Sequence, residues 1–280
     1  MTAPGTGRRS TRWAAAAVLA AVVGGWMVAH VAAGTNAVGE SMVPGITDIY
    51  HATKGFASEW PGGWGIGRTD EGTEPTWTAA LLAIGYHSVI TGARMLSGFV
   101  AGALAGIVLA AAVSWSRRVR QVVYVPAHIS RMLPLLGLVP LFGLWFGNSA
   151  TGVVVFVAFT VFVQVFAFGI NAVAAVPEYY EHAARSLGAG RIRTYVAVVL
   201  PAATPALGAG LSISLALGWS AAISAEFNGQ VDGLGQVAYM AQYFTRTSTL
   251  AVVAIVVGVL SAGSFVAARA GVAWLTRWSE

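Results

Sequence analysis

The chain has 280 residues, of which 56% are hydrophobic and only 10% are charged, and its formal net charge is +5. Soluble domains carry about 25% charged residues, so this composition excludes an ordinary soluble enzyme and a disordered chain. Repeated long apolar stretches instead place the protein in a membrane. The sequence contains no cysteine, which excludes disulfides, a cysteine-ligated metal and a lipid anchor on cysteine.

The membrane-crossing helices are marked by five runs without Asp, Glu, Lys or Arg. These runs are 13–39, 95–116, 132–177, 194–225 and 247–268. A spanning helix needs about 20 residues, and the run 132–177 is long enough for two helices with a turn at Gly147-Asn148-Ser149. The sequence therefore predicts an all-α integral membrane protein with six transmembrane helices. They are expected near 12–33, 89–114, 124–146, 151–173, 194–224 and 248–272.

The chain divides into three predicted regions. Residues 1–33 form a short N-terminus and the first transmembrane helix, whose apolar run is long enough to favour an uncleaved anchor over a cleaved signal peptide. Residues 34–78 form an acidic, turn-rich extracytoplasmic loop. Residues 79–275 form the transmembrane domain, and a helix over 76–90 is expected to approach the outer membrane interface.

The predicted third helix contains Arg131, Pro134 and Pro140. Proline removes a backbone donor and kinks a helix. Such breaks are tolerated where neighbouring helices or a cavity satisfy the freed backbone groups. The sequence is compatible both with a broken helix beside a transport pathway and with a kinked helix that only packs.

Positive charge concentrates on one side of the predicted membrane. The residues on that side are Arg8, Arg9, Arg12, Arg117, Arg118, Arg120, Arg185, Arg191, Arg193, Arg269 and Arg277. The positive-inside rule places both termini in the cytoplasm, together with loops 115–121 and 177–193. Loops 34–78 and 226–246 then lie outside. Because membrane topology accounts for these charges, nucleic acid is not predicted as a partner.

Three glycines and three charges within the apolar runs are candidate packing and pathway residues. Gly98, Gly102 and Gly106 are spaced by four, so they share one helix face and predict close helix packing. The charged residues in or beside the spans are Arg94, Arg131 and Glu226. Intramembrane charge is costly and suggests a function, so all three are candidates for the substrate path. The alternative is anchoring at the outer interface, where long side chains reach water.

Motifs for catalysis or nucleotide binding are absent from the sequence. It has no GxxxxGK[ST], HExxH or GxSxG pattern, and its five histidines lack metal-ligand spacing. We therefore predict no catalytic residue, no metal site and no cofactor bound by this chain. His87 and His128 are expected to be packed, hydrogen-bonded residues.

The segment 177–201 carries the most informative pattern. Pro177 suits the start of a helix, and Glu178 and Glu181 suit its first turn, where they complement the helix dipole. Gly188 suits its end, where a residue commonly adopts a positive φ. The segment predicts a short helix and turn on the cytoplasmic face, although a charged loop that only obeys the positive-inside rule is the simpler alternative.

This segment resembles the cytoplasmic signature of ABC-importer permeases, EAA-xxx-G-(nine residues)-I-x-LP. The matching residues are Ala183, Ala184, Gly188, Leu200 and Pro201. The sequence departs from the signature at His182, which stands at the Glu position directly after Glu181. Residues 130–147 and 225–235 also resemble the nitrate/sulfonate/taurine-type permeases, and the whole resemblance covers roughly 80–270.

The resemblance implies a permease in the bacterial cytoplasmic membrane whose loop 177–201 couples to a separate ATPase. Glu181 and His182 would then contact that ATPase together with the matching residues, and ATP and Mg would bind to the ATPase. The resemblance also implies a solute-binding protein outside, a second permease subunit forming a homodimer, and surrounding membrane lipid. A small anion such as a sulfonate or nitrate is the implied substrate, with neutral or heteroaromatic compounds as the alternative.

Two other classes of membrane protein remain as alternatives. A secondary transporter or channel would need coupling groups at mid-membrane, for which few candidates exist. An intramembrane enzyme would need paired catalytic side chains on facing helices, and none is evident.

Overall fold

The computed structural model describes residues 6–67 and 74–275. Within these ranges the regular structure is helical, and β-type pairing is confined to two isolated bridges. The α-helices are α1 (Thr6–Ala32), α2 (Ile46–Gly55), α3 (Trp77–Ser114), α4 (Arg117–Ser130), α5 (Leu135–Phe146), α6 (Ala150–Ala174), α7 (Glu178–Ser186), α8 (Arg191–Thr194), α9 (Leu200–Glu226), α10 (Leu234–Tyr243) and α11 (Thr247–Leu275). A π-helical turn, Tyr195–Val199, joins α8 to α9.

Four helical stretches in the described part of the chain are long and apolar enough to cross a membrane. They are α3, α6, the continuous stretch Arg191–Glu226 and α11. The bent pair α4–α5 would make a fifth, and α1 contributes a shorter apolar stretch, Ala20–Ala32. The all-α architecture is therefore established with four to five candidate spans, and the count of six stays a prediction.

The third predicted helix differs most from the structure. The span expected near 124–146 consists of two helices, because α4 starts already at Arg117 and is bent by 89° relative to α5. The break precedes Pro134, which lacks an N–H and disfavours helical backbone at Leu133. The segment is therefore broken rather than only kinked.

The second predicted helix is longer than expected. The helix predicted over 76–90 is the first part of α3, which runs without interruption from Trp77 through 38 residues. No proline occurs between 77 and 114, so no residue in this segment forces the backbone to break. Two further helices, α2 and α10, lie in segments that were expected to be loops.

The chain forms two compact units, residues 1–84 with 240–254 and residues 85–239 with 255–280. In the first unit, the segment that follows α1 folds into a defined structure. Trp26 Nε1 donates to the Pro44 carbonyl at 2.9 Å, and Asn36 Nδ2 donates to the Thr245 carbonyl at 2.9 Å. Glu40 accepts from the Thr247 hydroxyl at 3.1 Å, which fastens this segment to the start of α11.

The second unit is built around α6, which is buried along most of its length. The predicted glycine face of α3 packs against this helix. A Cβ on Gly98 would lie 2.8 Å from the Val154 carbonyl oxygen, and one on Gly106 would lie 3.0 Å from the Phe166 nitrogen. A Cβ on Gly102 would meet the backbone carbonyl of Ala158. Glycine at these positions therefore allows the backbones of α3 and α6 to approach closely.

Candidate functional site

A buried charge pair joins α3 to the end of α9. Arg94 donates from Nη1 to Glu226 Oε1 at 2.9 Å and from Nη2 to the Asp232 carboxylate. The Glu226 side chain is wholly buried, and that of Arg94 is 11% exposed. The structure thus brings together two of the three charges that were predicted as pathway residues.

Hydrogen bonds satisfy the rest of the Glu226 carboxylate. Its Oε2 accepts from the Thr91 hydroxyl at 2.8 Å and from the Gly235 N–H at 3.0 Å. Gly233 has a φ of 102°, and a Cβ there would lie 2.5 Å from the carboxylate oxygens. The turn before α10 therefore requires glycine at this position, and the network holds that turn against α3.

His87 and His128 are both hydrogen-bonded, as the sequence predicts. The Gly233 N–H donates to His87 Nδ1 at 3.0 Å. His128 Nε2 lies 3.3 Å from Asn171 Oδ1. In the described residues, no three His, Asp or Glu side chains converge on a possible metal site.

Arg131 lies at the break between α4 and α5. Its Nε donates to Gln164 Oε1 at 2.9 Å, and its guanidinium carbon lies 4.6 Å from the centre of the Phe168 ring. None of the described carboxylates forms an ion pair with Arg131, and none of the described contacts connects it with Arg94 or Glu226. A half-buried positive charge therefore remains without a counter-charge in this part of the protein.

The helix α7 begins and ends close to the positions that the sequence of 177–188 predicts. Pro177 precedes it in an extended conformation, and Glu178 and Glu181 lie in its first turn. The Gly188 N–H donates to the Arg185 carbonyl at 2.9 Å, and Gly188 has a φ of 81°. This is the backbone conformation that the sequence predicts for Gly188, and it turns the chain towards α8.

The exposed surface of α7 includes His182, Ala183 and the neighbouring Leu187, whereas Ala184 is buried. Glu181 Oε2 accepts from Arg185 Nη2 at 3.2 Å, so its charge is already paired within the helix. Leu200 and Pro201, at the start of α9, are half-buried.

Two aromatic residues extend the surface of α7. The rings of Tyr179 and Tyr180 stack with centroids 4.3 Å apart. A hydrogen bond with the Tyr180 side chain raises the pKa of Tyr179. Both tyrosines are exposed, so this end of α7 presents an aromatic surface to its surroundings.

Sequence reasoning did not identify three residues that complete these sites: Thr91, Gln164 and Asp232. Thr91 and Gln164 lie inside apolar helices and are 0% and 7% exposed. A polar residue in such a helix is itself a sequence signal for a buried hydrogen-bonding site. Asp232 lies in an expected loop, and only the fold brings it to Arg94.

Long apolar helices, a broken helix and a short exposed helix between two candidate spans describe an integral membrane protein. The chain belongs to the binding-protein-dependent transport system inner membrane components, whose family model matches residues 102–278.

Curated relatives are named as transport permeases. The taurine transport system permease protein TauC of Escherichia coli K12 is 31% identical over 181 residues, which are 63% of this chain and 66% of that protein. The putative aliphatic sulfonates transport permease protein SsuC of Bacillus subtilis is 29% identical, over 58% of this chain and 59% of that protein. The formylaminopyrimidine transport permease protein ThiX of Halalkalibacterium halodurans is 29% identical, over 57% and 61%. The matched region thus spans between 59% and 66% of the length of these relatives.

The solved structures of inward-facing MetNI methionine ABC transporter contain a chain with a similar fold. One has a TM-score of 0.56 at 20% identity and covers 72% of this chain and 99% of that chain. At this identity the likeness describes the fold alone.

Proposed function

We propose that this protein is the permease subunit of an ATP-binding-cassette importer in the bacterial cytoplasmic membrane. Six spans would consist of α1, α3, the bent pair α4–α5, α6, the stretch Arg191–Glu226 and α11, with both termini in the cytoplasm. The family membership supports this proposal, and so does the concentration of arginine at the ends that this orientation places inside.

The helix α7 is the observation that carries the proposal. It is a short exposed helix between two long apolar ones, and it bears the Ala183, Ala184 and Gly188 pattern of the permease signature. We assign α7 as the coupling helix that docks into a cleft of a separate ATPase, where ATP and Mg bind. Only three residues separate α7 from Gly190, the residue before α8, so a displacement of α7 would be transmitted directly to α9.

Transport would follow an alternating-access mechanism. Closure of two ATPase subunits would draw the α7 helices of two permease copies together and rock the helix bundles around the path. A solute-binding protein would deliver the substrate from outside. No residue of this chain would take part in ATP hydrolysis.

We propose a small organic anion, with a sulfonate as the leading candidate, as the transported solute. The unpaired Arg131 at the helix break supplies a positive charge beside which an anion would be stabilised. The names of TauC and SsuC agree with this choice, because taurine is itself a sulfonate. The name of ThiX keeps a heteroaromatic solute as the second candidate.

Purification of the tagged full-length protein from its native host tests the proposal. A P-loop ATPase should co-purify, whereas a secondary transporter or channel would be isolated without one.

Gly188→Glu should abolish the association, because a side chain there strains a backbone with positive φ and projects from the docking surface. Gly190→Glu is the matched control, since Gly190 is equally open but has a φ of −68°. Equal ATPase recovery in the wild type and in Gly188→Glu would contradict the assignment of α7.

A further inference from the structure

A cavity of about 700 Å³ lies where the end of α3 and the start of α4 meet α7 and α8. Its volume is within the range of small-molecule binding sites. The ionisable groups in its wall are Arg117, Arg118, Arg120, Arg185, Arg191, Glu181 and Tyr195. Five arginines and one carboxylate therefore surround this space.

Carboxylates compensate only two of the five arginines. Arg117 pairs with Glu178 at 3.0 Å on the exposed surface, and Arg185 pairs with Glu181 at 3.2 Å. Among the described residues, no carboxylate pairs with any of the other three arginines.

The three uncompensated arginines are Arg118, Arg120 and Arg191. Arg191 lies 5.2 Å over the ring of Trp115, which fixes its guanidinium at the wall of the cavity. Arginine offers a planar set of N–H donors that matches the oxygens of phosphate. An anion in the cavity would therefore find both an excess of positive charge and suitable donors.

The start of α4 adds a second electrostatic reason to expect an anion. This helix begins at Arg117, and its first turn contains no acidic residue. Arginines at a helix N-terminus repel the positive end of the helix dipole. An anion in the cavity would offset this repulsion as well as the charges of the arginines.

A buried hydroxyl in the same wall gives independent evidence for a ligand. Ser114 is 4% exposed and lines the cavity, and its Oγ has no hydrogen-bond partner in the described structure. Buried polar groups almost always have a partner, so an orphan hydroxyl beside a cavity points to a group that binds there. Ser114 can donate to an anionic oxygen.

We propose that this cavity binds a phosphate-bearing anion, with the headgroup of an anionic phospholipid as the source. The cavity adjoins Trp115, directly after the apolar helix α3, and tryptophan at a helix end is typical of the level of lipid headgroups. Basic pockets between membrane helices bind such headgroups. Because Glu181 and Arg185 of α7 form part of the wall, a bound headgroup would also steady α7. The site does not require that the protein is an importer.

Thermal unfolding of the full-length protein in a neutral detergent tests the proposal. Titration with dihexanoyl phosphatidylglycerol should raise Tm, whereas dihexanoyl phosphatidylcholine should not. The double variant Arg120→Gln/Arg191→Gln should bind phosphatidylglycerol at least about tenfold more weakly, and Arg193→Gln, an exposed arginine outside the cavity, should bind as the wild type does. An equal response to both lipids, or wild-type binding by the double variant, would overturn the proposal.

A parallel titration with inorganic phosphate distinguishes the two sources of the anion. If inorganic phosphate shifts Tm at concentrations similar to those of phosphatidylglycerol, the site is supported and its ligand is a soluble phosphate compound. A shift with phosphatidylglycerol alone would support the lipid headgroup.

Ser114→Ala keeps the test decisive even if the arginine variants fold poorly. Without ligand it should leave Tm unchanged or raise it, because the hydroxyl that it removes has no partner. With phosphatidylglycerol it should lose part of the wild-type shift. A full shift in Ser114→Ala would exclude this hydroxyl from the site, and with it the independent evidence for the ligand.

Discussion

Arg94 of α3 and Glu226 at the end of α9 form an ion pair at 2.9 Å across 132 positions of sequence. Glu226 is wholly buried, and Asp232, Thr91 and Gly235 complete the network around the pair. The negative charge of Glu226 is therefore compensated within the protein. Because Asp232 and Gly235 flank the turn before α10, the network also holds that turn in place. Of the three charges predicted for the substrate path, Arg131 is the one without an ion-pair partner among the described residues.

The buried pair should contribute strongly to stability. Arg94→Met leaves Glu226 buried without its cation, and we expect a loss of about 3 kcal/mol in the free energy of unfolding. Arg117→Met is the matched control, because its pair with Glu178 is 3.0 Å long but its side chain is 60% exposed. The control should lose less than about 1 kcal/mol. Denaturant unfolding in detergent measures both, and equal losses would contradict a structural role for the pair.

The contact between α3 and α6 should tolerate no added side chain at Gly102. Gly102→Ala places a methyl group against the Ala158 carbonyl, and we expect destabilisation of about 1–3 kcal/mol. Gly85→Ala, in the same helix but with open space around it, should be neutral or slightly stabilising. The unfolding midpoints of the two variants provide the comparison. A neutral Gly102→Ala would show that the helices separate easily at this point.

Arg131 should affect transport more than assembly. Arg131→Gln removes the unpaired charge but leaves apolar packing around Phe168 largely in place, so we expect uptake of a sulfonate to fall about tenfold. Arg246→Gln removes an exposed arginine and should transport normally. Radiolabelled taurine uptake and the yield of assembled complex are the two measurements. Normal uptake by Arg131→Gln would show that the residue serves packing alone.

The proposed orientation can be tested by cysteine labelling, because the chain has no cysteine of its own. Ser58→Cys is an exposed and nearly isosteric change, whereas Gly63 is unsuitable because its φ is 127°. An impermeant thiol reagent should label Ser58→Cys in intact cells. Arg193→Cys should be labelled only after the cells are permeabilised. The reverse pattern would invert the topology.

The features that sequence alone determines are local ones. Charge-free runs locate the long apolar helices because each span must satisfy its own backbone in lipid. The spacing of Gly98, Gly102 and Gly106 defines a helix face, and Pro177 and Gly188 bracket α7, because helix periodicity and backbone preference act over a few residues. Family membership is likewise read from sequence, through a family model that matches residues 102–278.

Tertiary structure alone decides which partner each buried polar group has. The partners Arg94–Asp232, Arg131–Gln164 and Thr91–Glu226 lie 138, 33 and 135 positions apart, and no local pattern relates them. The 89° bend between α4 and α5 could also be located only from the structure. Of the three prolines in this segment, Pro126 and Pro140 lie inside helices, and only Pro134 lies at the break. A buried charge or hydroxyl in a membrane protein must be satisfied by whatever group the packing of helices brings near it, and that packing is a property of the whole chain.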